Sequence, residues 1–402
     1  MIRTLSISIS ALAAMVGTTA LAQGIDVKLG VLNDRSGIYA DLAGEGSVVA
    51  ARMAIEDFDA AGKGLNVEVL SADHQNKPDV GSNIAREWFD VRGVNAIVDV
   101  PTSSVALAVT DIVAEKNGAF LNSGAATTAL TREQCHPTTV HWTYDTAALA
   151  NGTGGAVTNA GGKKWFFLTA DYAFGHSLEE NTSAVVEANG GEIVGSVRHP
   201  FPNQDFSSFL LQAQGSGADV IGLANAGGDT VNAIKQAAEF GITQAGQSLA
   251  ALLMFVTDVH SLGLETAQGL QMTEAFYWDQ TDATRAWSAR FEEQMGAKPT
   301  MVHAGVYSAT LAYLEAVEAV GSAEDGRAVV AKMKEMEIED PFFGKVDVRG
   351  DGRAVHDMYL FEVKSPDQSQ GEWDLYNQIS TIRGEDAFLP SRSCSTATRS
   401  PT

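Results

Sequence analysis

Three consecutive hydroxyl-bearing residues, Thr102, Ser103 and Ser104, follow the apolar run 97–100 and precede apolar residues at helical spacing. A serine at such a junction could attack a substrate, or its hydroxyl could hold a bound anion. Nucleophilic attack requires an oriented base, and in α/β hydrolases the serine lies on a sharp G-x-S-x-G turn. The stretch from Pro101 to Ser104 lacks both glycines, and the nearest histidines are distant in sequence. The sequence therefore favours Ser103 and Ser104 as helix caps and ligand donors.

Other patterns that could bind a metal or a nucleotide are incomplete. The chain has no H-E-x-x-H motif, and the spacing of His136 and His141 is not one that zinc sites use. The segment 152–155 resembles the start of G-x-G-x-x-G, but residue 157 is Val and the segment precedes a strand. We therefore expect neither a metal nor a cofactor.

Aromatic residues form the second notable pattern. In TADYAFGHS (169–177) a strand ends at Asp171, and Tyr172 and Phe174 follow it. These rings could pack in the core at the strand end or form an aromatic wall facing a cleft. Tyr277 and Trp278 allow the same two interpretations, with packing at a hinge favoured for that segment.

Two successive α/β units are predicted to position these residues. In each unit strands alternate with helices, which is typical of a parallel sheet covered on both faces. The first unit has predicted strands at 27–34, 65–73, 95–100 and 119–124, with helices at 47–62, 79–93 and 103–118. The second unit has predicted strands at 164–171, 192–198, 218–225 and 248–256, with helices near 176–189, 205–215 and 229–240.

The remaining residues do not form a third unit. Helices are predicted at 284–296 and 303–321, and a single hairpin at 343–366 with its turn at 350–352. We expect the chain to cross between the lobes several times. The predicted first lobe is 26–143 plus about 276–342, the second is 144–275 plus about 343–365, and 366–402 is a C-terminal tail.

The loops after the predicted strands form the candidate ligand site, because ligands of open parallel sheets lie beyond the carboxyl ends of the strands. These loops are 33–39, 101–104, 124–128, 171–175, 225–229 and 257–258. They are rich in Ser, Thr, Gly and aromatic residues and poor in catalytic acids and bases. Such a composition predicts a binding cradle rather than a reaction centre.

The N-terminus and the overall charge indicate the compartment. Residues 1–22 have a basic start, an apolar stretch and the end Ala20-Leu21-Ala22, which predicts a signal peptide cleaved after Ala22 rather than a membrane anchor. The net charge of −23 argues against nucleic acids and anionic membrane surfaces. In an oxidising compartment Cys135 and Cys394 could form one disulfide or remain free thiols.

Six segments in order resemble the branched-chain amino-acid type of periplasmic substrate-binding protein. They are LGVLNDRSGIYADLAGEG, SADHQNKPDVGSNIAREW, VDVPTSS, LNSGAATTALT, TADYAFGHSLEE and DFSSFLLQAQGSGADVIGLANAGGDTVNAIKQAAEFGI. The resemblance runs from about 27 to 361. It implies two Rossmann-like lobes joined by three crossovers, which close on a ligand and deliver it to an ABC transporter, without catalysis and without a metal.

The resemblance also implies residue roles. Ser103, Ser104, the backbone at 124–126 and Thr127 correspond to a cradle for a ligand carboxylate. Asp258 matches the acidic position that receives an amino group but is shorter than the usual Glu, and Phe174 stands where the family usually has Tyr-Gly. These departures favour a small aromatic or aliphatic carboxylate. The predicted site comprises Tyr39, Ser103, Ser104, Gly124, Ala125, Ala126, Thr127, Tyr172, Phe174, Asn225 and Asp258.

The function predicted from these features is a monomeric periplasmic solute-binding component of an ABC importer. Its expected partners are a small-molecule ligand and a complex of permease and ATPase, with no nucleic acid and no direct membrane insertion. Two alternatives remain at this point: a ligand-sensing module for a membrane receptor, and an exported α/β hydrolase or lyase. The enzyme would use Asp73, Asp171 or Asp258 together with a histidine.

Overall fold

The computed structural model describes residues 24–394. The predicted signal peptide lies outside the described residues. Within residues 24–394, no helix is both long and apolar enough to cross a membrane.

The first lobe is built on a five-stranded parallel sheet with the order β2-β1-β3-β4-β5. Its strands are β1 (Ile25–Asn33), β2 (Leu65–Asp73), β3 (Ala96–Asp99), β4 (Ala119–Asn122) and β5 (Thr139–His141). Its helices are α1 (Gly44–Asp57), α2 (Pro78–Glu87) and α3 (Ser103–Glu115). Every residue of β3 and β4 is buried, as expected for central strands covered on both faces.

The second lobe is built on a four-stranded parallel sheet with the order β7-β6-β8-β9. The short helices α4 (Thr146–Leu149) and α5 (Gly155–Asn159) lead into it. Its strands are β6 (Lys164–Ala170), β7 (Glu192–His199), β8 (Val220–Ala224) and β9 (Ser248–Ala251). Its helices are α6 (Ala173–Ala188), α7 (Ser207–Gly215), α8 (Gly228–Glu239), α9 (Val256–Leu262) and α10 (Leu264–Ala267).

The last predicted strand of this lobe, 248–256, is too long. β9 ends at Ala251, and α9 begins at Val256. The Asp258 carboxylate accepts a hydrogen bond from the backbone N–H of Phe255 at 3.0 Å. An acceptor at this position stabilises a helix start, so the apolar residues up to Val256 do not continue the strand.

The late segments complete both lobes. They are β10 (Gln271–Glu274), α11 (Asp282–Met295), α12 (Met301–Val320), α13 (Gly326–Glu335), β11 (Ile338–Asp340), β12 (Gly344–Val348), β13 (Ala354–Val355), β14 (Met358–Val363), β15 (Tyr376–Ile382) and α14 (Gly384–Ala387). Helix α12 packs against α1 of the first lobe, and β10, β14 and β15 form an antiparallel sheet. Two α/β lobes with parallel sheets, the predicted fold class, are thereby confirmed.

The single hairpin predicted across 343–366 is correct only for its first part. β12 and β13 pair around the turn 350–352, with Asp347 opposite Val355. β14 instead pairs with β10 and β15. Phe361 of β14 packs with Met272 and Tyr376 in the core of the second lobe. This packing explains why β14 does not pair with the β12–β13 hairpin.

The β12–β13 hairpin lies beside the first sheet, whereas the sequence predicts residues 343–365 in the second lobe. The backbone N–H of His141 in β5 donates to the carbonyl of Gly352 at 2.8 Å. His141 also forms a parallel bridge with Arg353. The predicted C-terminal tail, 366–402, includes β15 and so contributes to the antiparallel sheet of the late segments.

A disulfide ties the end of the described chain to the first lobe. Cys135 and Cys394 are bonded, with their Cα atoms 5.4 Å apart. We call residues 389–394 the strap. Arg132 donates to the carbonyl of Pro390 at 2.6 Å, and Arg349 donates to the carbonyl of Leu389 at 2.9 Å.

Candidate functional site

A cavity of about 230 Å³, the inner cavity, lies where the two lobes meet. It is lined by Tyr39, Leu42, Pro101, Gly124, Ala126, Tyr144, Tyr172, Phe174, Ala226, Leu253 and Phe255. Each of these residues follows the carboxyl end of a strand in one of the two parallel sheets. The site therefore lies where parallel-sheet topology predicts it.

The loops after β3 and β4 form the first-lobe wall of the inner cavity. Asp99 and Val100 have φ angles of 76° and 64°, so the backbone turns sharply before Pro101. Such angles are unfavourable for a β-branched residue and often occur at functional sites. A Cβ on Gly124 would lie 2.7 Å from the Cα of Pro101, so only glycine permits this close contact between the loops.

Tyr144 also lines the inner cavity and stabilises the loop after β4. Its hydroxyl donates to the carbonyl of Gly124 at 2.6 Å, and its ring meets Phe255 of the second lobe at 6.3 Å between centroids. Burial raises the pKa of the Tyr144 hydroxyl well above its ordinary value. The side chain thus remains a neutral hydrogen-bond donor.

The lobes touch each other across the inner cavity. The hydroxyl oxygens of Tyr39 and Tyr172, one from each lobe, are 2.5 Å apart. The Tyr172 ring stacks on Phe201 with centroids 4.2 Å apart, and a Cβ on Gly227 would lie 2.7 Å from the carbonyl oxygen of Ile38. These contacts close the second lobe onto the first.

Two buried acidic side chains near the cavity accept hydrogen bonds from other groups of the protein. Asp258 accepts from the N–H of Phe255, and Glu274 accepts from the Tyr376 hydroxyl at 2.9 Å. Burial raises the pKa of Asp258 to about 7 and the pKa of Glu274 well above its ordinary value. Asp258 itself is not among the residues that line the inner cavity.

Two further buried acids lie behind the walls. Asp99 accepts from the Asn33 amide at 3.1 Å, and Asp229 accepts from the N–H of Asn203 at 2.8 Å. Burial raises the pKa of Asp99 to about 6 and the pKa of Asp229 to about 7. Burial therefore disfavours the ionised form of both carboxyls.

The structure brings five of the predicted site residues to the inner cavity. These are Tyr39, Gly124, Ala126, Tyr172 and Phe174. The Ser103 hydroxyl instead accepts from the N–H of Thr127 at 3.3 Å, and Ser104 is half-buried in the first turn of α3. Ser103 and Thr127 therefore hold the two first-lobe loops together.

The other predicted residues support their own loops. The backbone N–H of Ala125 donates to the Asn122 side chain at 3.3 Å. The Asn225 amide donates to His199 at 3.1 Å and accepts from the Thr230 hydroxyl at 2.7 Å.

Sequence reasoning missed six lining residues. They are Leu42, Pro101, Tyr144, Ala226, Leu253 and Phe255. Pro101 and Ala226 belong to loops that the strand-end rule had identified. The remaining four have no chemical signature apart from their position a few residues after a strand.

A second hollow, the outer groove, has a volume of about 1130 Å³. It is lined by Leu107, Thr127, Thr128, Ala129, Arg132, Glu133, Ala173, His176, Ser177, Glu180, Asn181, Leu389, Pro390, Ser391 and Arg392. Residues of both lobes and of the strap contribute to it. Its charged side chains include Glu133, Glu180 and Arg392, all of which are exposed to solvent.

The chemistry of the inner cavity fits binding. Among the described residues, those lining it include no Ser, Cys, His, Asp, Glu, Lys or Arg, so the side chains of the wall offer tyrosine hydroxyls and apolar surface. Of the acids considered for hydrolysis, Asp73 accepts from the Ser36 hydroxyl at 2.6 Å and Asp171 pairs with His176 at 2.9 Å, and neither lines the inner cavity. Within residues 24–394, no cluster of three His, Cys, Asp or Glu side chains is placed to hold a metal ion.

Known proteins resemble the chain over most of its length. The family model described as periplasmic binding protein matches residues 26–371. The Leu/Ile/Val-binding protein homolog 6 of Brucella melitensis is 27% identical over 372 residues, which is 90% of this chain and 93% of the relative.

Solved structures show the same similarity. A periplasmic binding protein from Burkholderia mallei is 52% identical with a TM-score of 0.88, covering 90% of this chain and 96% of that one. A branched-chain amino acid ABC transporter periplasmic ligand-binding protein from Burkholderia xenovorans LB400 is 42% identical with a TM-score of 0.80, covering 90% and 97%. These matches confirm the resemblance found by sequence. The chain belongs to the family of periplasmic binding proteins, with the two-lobed fold of its ABC-transporter members.

Proposed function

We propose that the chain is the solute-binding component of an ABC importer and captures a small carboxylate-bearing ligand in the inner cavity. The observation that carries this proposal is the closure of two lobes around a cavity to which both contribute, through the contact between Tyr39 and Tyr172. Hinged closure of this kind requires changes in only a few backbone angles. The ligand then leaves when the lobes separate at the membrane complex.

The lining of the inner cavity supports a small ligand. Its apolar side chains and tyrosine hydroxyls suit a small ligand with an apolar body and few polar groups. Two relatives are named for small carboxylates: the Brucella melitensis protein for leucine, isoleucine and valine, and the Burkholderia xenovorans protein for branched-chain amino acids. We propose the same broad class of small carboxylates for this chain, together with periplasmic delivery to a permease and an ATPase.

A thermal-shift screen tests the proposed function. The panel would contain amino acids, aromatic acids, short-chain acids and amides. A ligand at about 100 times its Kd stabilises the folded state by about 2.7 kcal/mol and raises the melting temperature. Chemical turnover of a compound that raises the melting temperature would contradict a transport role.

The matched control for this screen is Ala126→Leu, which fills the inner cavity. A genuine cavity ligand should stabilise the native protein and fail to stabilise this variant. Equal stabilisation of both proteins would place the ligand elsewhere.

A further inference from the structure

The chain passes between the two lobes at residues 142–145, after β5, and again at residues 356–357, after β13. We call these two segments the hinge segments. The first leads into α4, and the second leads into β14, which packs in the core of the second lobe. Because rotation of one lobe against the other changes backbone angles in such segments, side chains that hold them affect closure of the inner cavity.

Arg353 is fully buried and joins the two hinge segments. Its Nη2 donates to the carbonyl of Trp142, the first residue of one hinge segment. Nε2 of His356, in the other hinge segment, lies 3.1 Å from the same carbonyl oxygen. The guanidinium carbon of Arg353 also lies 4.3 Å from the ring centroid of Phe388, which directly precedes the strap. One guanidinium therefore contacts parts of the chain that are distant in sequence and that meet at the hinge.

Trp142 has a fixed position in the first lobe. Its indole Nε1 donates to the Ser308 hydroxyl of α12 at 2.7 Å, and its backbone N–H donates to the carbonyl of Asn122 in β4 at 2.7 Å. The chain then runs directly behind the inner cavity, where the N–H of Thr146 donates to the carbonyl of the lining residue Ala126 at 2.8 Å. A shift of this hinge segment would therefore move the cavity wall.

Asp145 supplies a counter-charge for Arg353 from the end of the hinge segment that leads into the second lobe. One carboxylate oxygen of Asp145 caps α4 by accepting the N–H of Ala148 at 2.9 Å. The other oxygen lies 3.7 Å from Nη1 of Arg353, and both side chains are buried. Nη1 has no hydrogen-bond partner among the described residues. Asp145 is thus the carboxylate closest to the free side of the guanidinium.

The charge of Arg353 makes this pair important for the hinge. Burial lowers the pKa of Arg353 to about 10, so the guanidinium is charged at neutral pH. Burial raises the pKa of Asp145, and the charge of Arg353 opposes that rise. The neighbouring acid Asp351 already accepts two hydrogen bonds from Arg349. Since a buried charge without a counter-ion is costly, movement of Asp145 away from Arg353 is unfavourable.

We propose that Arg353 is a positioning residue of the hinge and that its pairing with Asp145 favours the closed arrangement of the lobes. This inference rests on the proposed function, because closure is the step that captures the ligand. Arg353 belongs to the hairpin beside the first sheet, whereas Asp145 begins the helix that leads into the second lobe. Opening that moves α4 away from the hairpin separates the two charges.

Small-angle X-ray scattering of the ligand-free protein tests the proposal, because an open arrangement has a larger radius of gyration. Asp145→Asn removes the negative charge but keeps a side chain that caps helices well, so this variant should fold. Arg353→Met removes the positive charge and keeps an unbranched side chain. We expect each variant, folded by circular dichroism, to have a larger radius of gyration than the native protein. The double variant should open no further than either single variant, because both changes remove one ion pair.

Arg349→Met is the matched control. Arg349 lies in the same hairpin, but its side chain bonds Asp351 and the carbonyl of Leu389, neither of which belongs to a hinge segment. This variant should keep the native radius of gyration. An equal increase in Arg349→Met would overturn the proposal, since the hairpin as a whole would then set the angle between the lobes.

An unchanged or smaller radius in Asp145→Asn would also overturn the proposal, as would additive increases in the double variant. If Arg353→Met does not fold, Asp145→Asn decides. These measurements contain no ligand, so their outcome is separate from the thermal-shift screen that decides the proposed function.

Discussion

The inner cavity and the outer groove both lie between the lobes, but they differ in charge and in exposure. The outer groove is about five times larger by volume, 1130 against 230 Å³, yet its charged side chains face solvent. The inner cavity is lined by neutral, mostly buried residues. A ligand bound there, as proposed, would lose most of its water of hydration.

Helix α6 separates the two hollows. Phe174 lines the inner cavity, whereas Ala173, His176 and Ser177 line the outer groove. Residues about one helical turn apart lie on the same face of a helix, so one side of α6 is apolar and buried and the other is polar. Changes on one side of this helix should therefore leave the other hollow unaffected, and the following variants test that separation.

The largest expected effect is on stability and comes from the strap. Replacing Cys135 and Cys394 by Ser opens a loop with a sequence separation of 259 residues. The chain-entropy model predicts a loss of about 5 kcal/mol in the free energy of unfolding. Denaturant titration measures this loss, and calorimetry at a temperature where the variant is folded should give an unchanged ligand affinity.

A large loss of affinity in that folded variant would contradict the separation of the two hollows. It would mean that the strap, which walls only the outer groove, also shapes the inner cavity.

The second effect concerns pH and the buried acids around the inner cavity. Burial raises the pKa of Asp258 from 3.8 in the unfolded chain to about 7. Between these values the folded protein holds a proton that the unfolded chain has released, so stability falls as pH rises through this window. The change amounts to about 4 kcal/mol, from about 1.36 kcal/mol for each pKa unit.

Denaturant titrations between pH 4 and 8 measure this dependence. The variant Asp258→Asn keeps an acceptor for the N–H of Phe255 and should have a flatter profile. A profile as steep as that of the native protein would assign the dependence to other groups, such as Asp229, whose pKa burial also raises to about 7.

The third effect compares one substitution in both hollows. Ala126 lines the inner cavity and is 1% exposed, whereas Ala129 lines the outer groove. Ala126→Leu places extra carbon atoms in the ligand's space and should weaken binding at least 100-fold, or about 2.8 kcal/mol. Ala129→Leu should leave the affinity unchanged in the same calorimetric measurement. Equal losses in the two variants would invalidate the assignment of the ligand to the inner cavity.

Part of the inner cavity could be predicted from sequence, and part could not. Tyr39, Gly124 and Phe174 were identified because strand-end loops in a parallel sheet converge on one edge, and strand patterns are local. Leu253 and Phe255 were assigned to a strand because an apolar run does not distinguish a buried strand from a loop that enters a helix. Their position at the inner cavity depends on the hydrogen bond from the N–H of Phe255 to Asp258, which starts helix α9. A sequence pattern does not reveal such a contact.

Other differences arise from pairing over long sequence distances. The alternation of apolar and polar residues in β14 would allow it to pair with any strand that has an apolar face. It pairs with β10, and its residue Phe361 packs in the core of the second lobe. Ser103 and Thr127 are predicted ligand donors, and in the structure the Ser103 hydroxyl also accepts from the backbone N–H of Thr127, a contact that residue type alone does not show. The residue types show which side chains are polar, but the hydrogen-bond partners of those side chains depend on the folded structure.

The smallest expected effect is at the contact that closes the inner cavity. Tyr172→Phe removes the hydrogen bond to Tyr39 but retains the ring that stacks on Phe201, so ligand affinity should fall about fivefold, or about 1 kcal/mol. Tyr39→Phe should have a similar effect, and the double variant should lose little more than either, because one bond is shared. Additive losses in calorimetry would show that the two hydroxyls act separately on the ligand. His176→Gln, in the outer groove, is the matched control and should bind as the native protein does.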